Sequence, residues 1–180
     1  MRMKKYAAGV CAAAAAMFFV LAACSQKLIV RRYEEKSAKV TGTVRLAVLT
    51  DLHSTFYGEQ QEELIRALKE QRPDAVLLAG DIADDHVPHD GTKALLEAIG
   101  TAYPCFYVTG NHEYWSGEEE AIKEMIASYG VRVLEGESCF LDVRGELLQI
   151  CGVDDPDGFG QRGRYEPGAM AEWENQLMRC

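Results

Sequence analysis

The chain has 180 residues, enough for one domain, and 48% of them are hydrophobic against 26% charged, the balance of an ordinary folded protein. Its formal net charge is −9, which excludes the basic face that a nucleic-acid binder needs, so no nucleic-acid-binding surface is expected.

The N-terminus reads as a targeting segment. Arg2, Lys4 and Lys5 precede an uncharged run from Ala7 to Cys24, the layout of a secretory signal. A membrane-spanning anchor is the rival reading, because the run is nearly long enough to span. The stretch "LAAC", Leu21 to Cys24, resembles the lipobox of bacterial lipoproteins. That resemblance implies cleavage before Cys24 and a multiply acylated Cys24, since one lipid chain anchors only marginally. Residues 1–23 are thus expected to be a lipoprotein signal peptide. Residues 24–43 are a polar tether, and the rest stands on the outer face of the cell membrane. The chain from Cys24 onward carries 16 basic and 28 acidic residues, net −12. This disfavours plain electrostatic adhesion to anionic lipid, and a bound divalent cation would offset the acidity locally.

From Val44 the pattern changes to that of a folded domain, assigned to 44–180. "VRLAVLT" is a short apolar run of β-forming residues and predicts a buried strand. "EQQEELIRALKEQ" places Leu64, Ile65 and Leu68 on one helical face, with acids early and Lys69 late. "DAVLLAG" predicts a second strand, and "DGTKALLEAIG" a helix with Leu95, Leu96 and Ile99 on one face and Gly100 at its end. "CFYVTG" predicts a third strand. Ser116 and Glu119 suggest a capping box for a helix bearing Ile122, Met125 and Ile126, closed by Gly130. "VRVLEG", "CFLDV" and "ELLQICGV" predict further strands, the last two as a hairpin turning at Arg144-Gly145, and a short helix follows Pro167.

Strand–helix alternation of this kind predicts an α/β fold with a parallel sheet. The unbroken apolar character of the strands predicts cover on both faces. Ligands bind such sheets outside the carboxyl ends of the strands, and there the polar residues gather. The first end is "TDLHS", with Asp51 and His53; the second is "AGDIADD", with Gly80, Asp81 and Asp84; the third is "TGNHE", with Gly110, Asn111, His112 and Glu113. Each alone is an ordinary polar turn. Together they offer carboxylates, imidazoles and an amide oxygen, suitable ligands for divalent metals. Twenty-six residues separate His53 from Gly80 and 25 separate Asp84 from Gly110, so each gap fits one crossover helix and the next strand. His86 and His89 read as a solvated loop, with contact to substrate at the rim as the alternative.

In this order and spacing, Asp-x-His, Gly-Asp-x-x-Asp and Gly-Asn-His-Glu resemble the calcineurin-like metallophosphoesterases, over about Arg45 to Asp155. "GVDDP", Gly152 to Pro156, is similar to a segment of its membrane-associated bacterial branch. The resemblance implies the N-terminal part of a four-layer α/β/β/α sandwich and two divalent ions, drawn from Mn, Fe, Zn or Mg. It also implies hydrolysis of a phosphoester; a lipid-linked phosphate is attractive beside an anchor, and nucleotides and simple monoesters fit equally. Asp51 and His53 would hold one ion, Asp81 would bridge both, and Asn111 would hold the second. His112 would face the phosphate, and Glu113 or Asp84 would orient a histidine. The family pattern continues with more histidines, whereas none of the four here follows His112. An incomplete domain with weak or no turnover is therefore expected; a non-catalytic lipoprotein with a degenerate metal site is the alternative. A zinc peptidase is excluded by the lack of a His-Glu-x-x-His run. Cys105, Cys139, Cys151 and Cys180 match no zinc pattern and read as buried free thiols, with disulfide pairing in an exported chain as the alternative.

Overall fold

The structure is a computed structural model that describes residues 28–160, 168 and 170–180. The signal peptide expected over 1–23 and the lipidation expected at Cys24 fall outside the described residues. The chain divides into two units, 1–32 and 33–180. Of the first, residues 28–32 are described; they have no regular structure, and Ile29 and Val30 are exposed. Among the described residues, no helix is long and apolar enough to cross a membrane.

The second unit holds a parallel sheet of β1 (Leu46–Leu49), β2 (Ala75–Ala79), β3 (Cys105–Val108) and β4 (Arg132–Val133), in that spatial order. A parallel connection cannot be a tight turn, so helices fill the gaps. They are α1 (Glu62–Gln71), α2 (Asp90–Ile99), α3 (Asn111–Ser116) and α4 (Glu119–Ser128). A hairpin of β5 (Glu137–Val143) and β6 (Glu146–Gly152) forms a second sheet, and α5 (Met170–Arg179) follows. The hairpin turns as expected: Arg144 and Gly145 both have positive φ, 55° and 88°, the geometry of a two-residue turn matched to strand twist.

Successive strand residues face opposite ways, and this sorts the core. Ala75, Leu77, Phe106 and Val108 face the hairpin and pack with Leu134, Cys139, Leu141, Val143 and Ile150. The other face carries buried Val76, Leu78, Cys105 and Tyr107, with Cys105 Sγ 3.5 Å from the Ile99 carbonyl at the end of α2. Leu64 and Leu68 of α1, Leu95, Leu96 and Ile99 of α2, and Ile122 and Ile126 of α4 are buried apolar helix residues, each contributing about 1.5–3 kcal/mol. Helices, parallel sheet and second sheet are thus the layers of the expected sandwich's N-terminal part.

Three expectations are corrected. β1 is not covered on both faces: Leu46 and Val48 are 36% and 58% exposed. Register places them opposite Ala75 and Leu77, on the hairpin side, but they lie on the edge strand, where the hairpin does not cover them. The Ser116–Glu119 capping box does not form. Glu118 precedes the first turn of α4, and Ser116 Oγ instead accepts from Glu118 N at 2.9 Å. Finally, Cys151 and Cys180 form a disulfide across 29 residues of sequence. Cys105 and Cys139 are the buried free thiols expected, and burial pushes the Cys105 thiol up to about 11.

Candidate metal centre

The three strand ends are sewn together by backbone. Asp51 N donates to Gly80 O, His53 N to Asp81 O at 2.9 Å and Ser54 N to Ile82 O at 3.0 Å. These bonds require Asp51, His53, Ser54 and Asp81 to adopt left-handed φ values of 55°, 47°, 54° and 52°. Such conformations cost about 1–2 kcal/mol each for non-glycine residues and collect at functional sites. Buried side chains add to the seam. Ser54 Oγ is 3.0 Å from Thr92 Oγ1, which donates to Ile82 O at 2.9 Å. Gln61 holds the loop before α1 by accepting from Tyr57 N and donating to Thr55 O and Gly91 O.

Glu113 joins the second and third ends. It is fully buried. Its Oε1 accepts from Ile82 N (2.8 Å) and Ala83 N (3.0 Å); its Oε2 accepts from Asp81 N (3.0 Å) and Gly110 N (2.9 Å). Burial pushes this carboxyl above its ordinary value while the backbone donors pull it back. The expected role for Glu113, orienting a histidine, is corrected: its oxygens are taken up by main-chain N–H groups. Tyr107, beneath it, has a buried hydroxyl without a hydrogen-bond partner among the described residues. Burial and the Glu113 charge raise the Tyr107 pKa. The glycines in both turns are there for room. A Cβ on Gly110 would lie 2.3 Å from Asp81 Oδ1, and one on Gly80 would lie 2.9 Å from Gly110 Cα.

The result is a compact donor set. Ligand atoms of His53, Asp81 and His112 lie within 4.8 Å of one another, as do those of Asp84, Asp85 and His112. The two imidazole rings meet edge to face, centroids 4.3 Å apart, and Trp115 lies 4.8 Å from His112. Asp81 is 9% exposed, and its Oδ1 accepts from His112 N at 2.9 Å. His53 Nδ1 is 3.3 Å from Asp84 Oδ2, yet it is buried and lacks an aligned hydrogen bond among the described residues. Partial burial works to raise the Asp84 pKa. The N–H groups of His86 and Val87 and the imidazoles of His53 and His112 outweigh it, and the net pKa is below the ordinary value.

The remaining expected residues take other positions. Asp51 is exposed, and its Oδ2 accepts from Thr50 Oγ1 at 2.8 Å; it belongs to neither donor group. Asn111 opens α3 at the third strand end, half-buried. His86 is 83% exposed with Nε2 3.3 Å from Asp85 Oδ2, and His89 Nε2 is 3.1 Å from Asp84 O. Asp85 was not a sequence candidate, although its Oδ1 lies 2.9 Å from His112 Nδ1. The doubled acid in "ADD" was the available signal. The "GVDDP" segment packs on the third strand end. Asp154 Oδ1 accepts from Thr109 Oγ1 at 2.9 Å, and Asp155 N donates to that hydroxyl at 3.1 Å. On its other side Asp154 binds Gln176 and Trp173 of α5. Burial first, then Asp157, Asp81 and Asp154, raise the Asp155 pKa against the Asp157 N–H.

The donor set fits a divalent cation. It pairs carboxylate with imidazole, the chemistry of borderline metals. Among the described residues, no Lys or Arg lies within ion-pair distance of Asp81, Asp84 or Asp85, and the side chains facing the Asp84 and Asp85 carboxylates at this range are histidines.

Comparison with known proteins agrees. The sequence model of the calcineurin-like phosphoesterases matches residues 44–172. The chain is 27% identical over 154 residues to a transmembrane protein with metallophosphoesterase domain of Danio rerio, covering 81% of this chain and 34% of that one. It is 28% identical over 136 residues to an uncharacterized metallophosphoesterase of Aquifex aeolicus (73% and 51% of the two chains). With YkoQ of Bacillus subtilis, an uncharacterized metallophosphoesterase, it shares 30% over 112 residues (59% and 42%). The matched region thus spans about a third to a half of these relatives' lengths. Strand ends sewn into one cation-ready cluster and a family match running through all three of them lead to one assignment: the chain belongs to the calcineurin-like phosphoesterase family.

Proposed function

We propose that this chain is the metal-holding part of an envelope-anchored phosphoesterase, and that alone it turns over phosphoesters weakly or not at all. The observation that carries the reading is the approach of His53, Asp81 and His112 donor atoms to within 4.8 Å of one another at three strand ends. Divalent cations held there supply positive charge to the phosphoester and acidify an attacking water. The chain's own residues do the rest. His53, Asp81 and His112 would hold cation, with Asp51 and Asn111 at the margins as further ligands for a pair of ions. The protein binds Mn, Fe, Zn or Mg in this reading. His112, the residue the resemblance turns toward phosphate, stands in both donor groups, so it competes between holding cation and meeting substrate. Glu113 fixes the turn that carries Asn111 and His112.

Impairment is supported by the ligand count. Within these 180 residues the four histidines include none after His112, so from these residues alone a second ion would draw on Asp81 and Asn111 without an imidazole beyond His112. Anchorage through acylated Cys24 is supported by "LAAC", and the Cys151–Cys180 disulfide suits an exported chain. A phosphoester displayed at the membrane face, lipid-linked included, is the substrate class that fits that location. The test is hydrolysis of p-nitrophenyl phosphate and its bis-ester by the purified chain with Mn²⁺. Turnover near the uncatalysed rate is expected, together with saturable Mn²⁺ binding. Strong turnover refutes the impairment, and absence of any cation binding refutes the metal-holding role.

A further inference from the structure

We propose that Asp154 is a positioning residue for the metal turn at the third strand end, and that the Cys151–Cys180 disulfide backs it by holding α5 in place. This rests on reading the three strand ends as a cation site.

Asp154 belongs to "GVDDP", a segment to which the ligand set gives no task. It is 5% exposed, and a carboxylate so enclosed needs polar partners. Its partners come from three parts of the chain. Oδ1 accepts from Thr109 Oγ1 at 2.9 Å and lies 3.5 Å from Lys123 Nζ of α4. Oδ2 accepts from Gln176 Nε2 of α5 at 3.1 Å. Thr109 is also buried, and it leads directly into Gly110 and Asn111. Its hydroxyl is used twice, donating to Asp154 and accepting from Asp155 N at 3.1 Å. Rotating either side chain away would leave a buried polar atom unpaired, which is costly. The pair therefore fixes the backbone that carries Asn111, an expected cation ligand.

The ties of α5 are polar or covalent. Its buried residue is Gln176, a polar one, so apolar burial does little to hold it, and so short a helix is marginal by itself. Gln176 Oε1 accepts from Asp154 N at 2.9 Å, Trp173 Nε1 donates to the Asp154 carbonyl at 2.9 Å, and Arg179 Nε donates to the Gly136 carbonyl at 3.2 Å. Cys180 N donates to Gln176 O at 3.2 Å, one helical turn back, so the face of α5 that meets Asp154 is the face that carries the disulfide. Cys151, at the other end of the bridge, lies three residues before Asp154. The bridge thus closes a short ring through Cys151, Asp154, Gln176 and Cys180. Opening the ring loosens Gln176 from Asp154, and through Asp154 it loosens Thr109 and the metal turn.

The experiment is calorimetric Mn²⁺ titration of the full chain, paired with ¹H–¹⁵N spectra of the metal-free protein. The spectra are read at the Gly110 and Asn111 amides, with the His53 amide as control. Thr109→Val removes the hydroxyl and keeps the side chain's shape. Affinity should fall about tenfold in Thr109→Val and in Asp154→Ala, with Gly110 and Asn111 shifted and His53 unmoved. The double variant should bind no more weakly than Asp154→Ala, because both changes delete the same bond. Asp154→Asn, which keeps an acceptor for Thr109, should recover most of the affinity. Cys151→Ser combined with Cys180→Ser should lower affinity in wild type and change nothing further in Asp154→Ala. Wild-type affinity in Thr109→Val, or additive losses in the double variant, overturns the positioning role. Unchanged affinity in the bridge variant overturns the part given to the disulfide. If Asp154→Ala does not fold, Thr109→Val and Asp154→Asn decide the matter: loss in the first with retention in the second supports the proposal, and any other pattern overturns it. If wild type binds no Mn²⁺ while the Asn111 amide follows Thr109→Val and Asp154→Ala, the cation reading fails and the positioning stands.

Discussion

Glu113→Gln tests whether the metal turns are latched by one buried charge. The carboxylate accepts four main-chain N–H groups between 2.8 and 3.0 Å, three from the second strand end and one from the third. All four of these main-chain contacts offer a hydrogen, which suits an acceptor-only carboxylate. Geometry thus favours the ionised form even though burial raises the pKa. Hydrogen bonds to a charged group contribute about 1.5–3 kcal/mol each, and an orphaned buried donor costs about 1–3 kcal/mol. Glutamine keeps one acceptor oxygen for Ile82 and Ala83, but its amide hydrogens would confront the N–H groups of Asp81 and Gly110. Two orphaned donors then cost about 2–6 kcal/mol. That is a large fraction of a stability typically about 5–15 kcal/mol. Urea unfolding at pH 7, followed by circular dichroism, measures it. A loss under about 1 kcal/mol would show that a neutral amide serves equally well and would refute the charged-latch argument.

Two further substitutions probe the surrounding frame. Gly110→Ala should lose both stability and cation binding, because its Cβ would lie 2.3 Å from Asp81 Oδ1 and 2.4 Å from Asp81 N; unchanged Mn²⁺ affinity by calorimetry would contradict this. Asp74, held by Arg144 at the hairpin turn, has its pKa lowered first by that hydrogen bond, against the burial that would raise it. A lowered carboxylate pKa gives stability that is present above the ordinary value of 3.8 and lost as pH falls through the folded value. The stability gap between wild type and Asp74→Asn should therefore close in acid; a gap that widens there has the wrong sign.

The site was legible in the sequence where chemistry is local. An apolar run followed by Gly-Asp or Gly-Asn announces a strand end where backbone must approach closely, and Gly80 and Gly110 do meet there. The parts that stayed hidden depend on distant partners. Glu113 reads like one more polar residue of "TGNHE", because its acceptor role is written in N–H groups about 30 residues earlier. Asp84 and Asp85 look interchangeable in "ADD" until loop conformation sends one to each imidazole. The Cys151–Cys180 pair has no local signature either; it forms because α5 returns beside the end of β6. The same limit applies to β1, whose apolar run gave no sign that the hairpin would leave Leu46 and Val48 exposed.

The most direct test of the account is calorimetric titration of the chain with Mn²⁺, wild type against Asp81→Asn. Asparagine tolerates the left-handed backbone at this position, φ 52°, so the turn is kept while the charge is removed. The account predicts saturable binding by wild type and at least about a tenfold loss in the variant, with the fold intact. Equal affinity in the two proteins would contradict it.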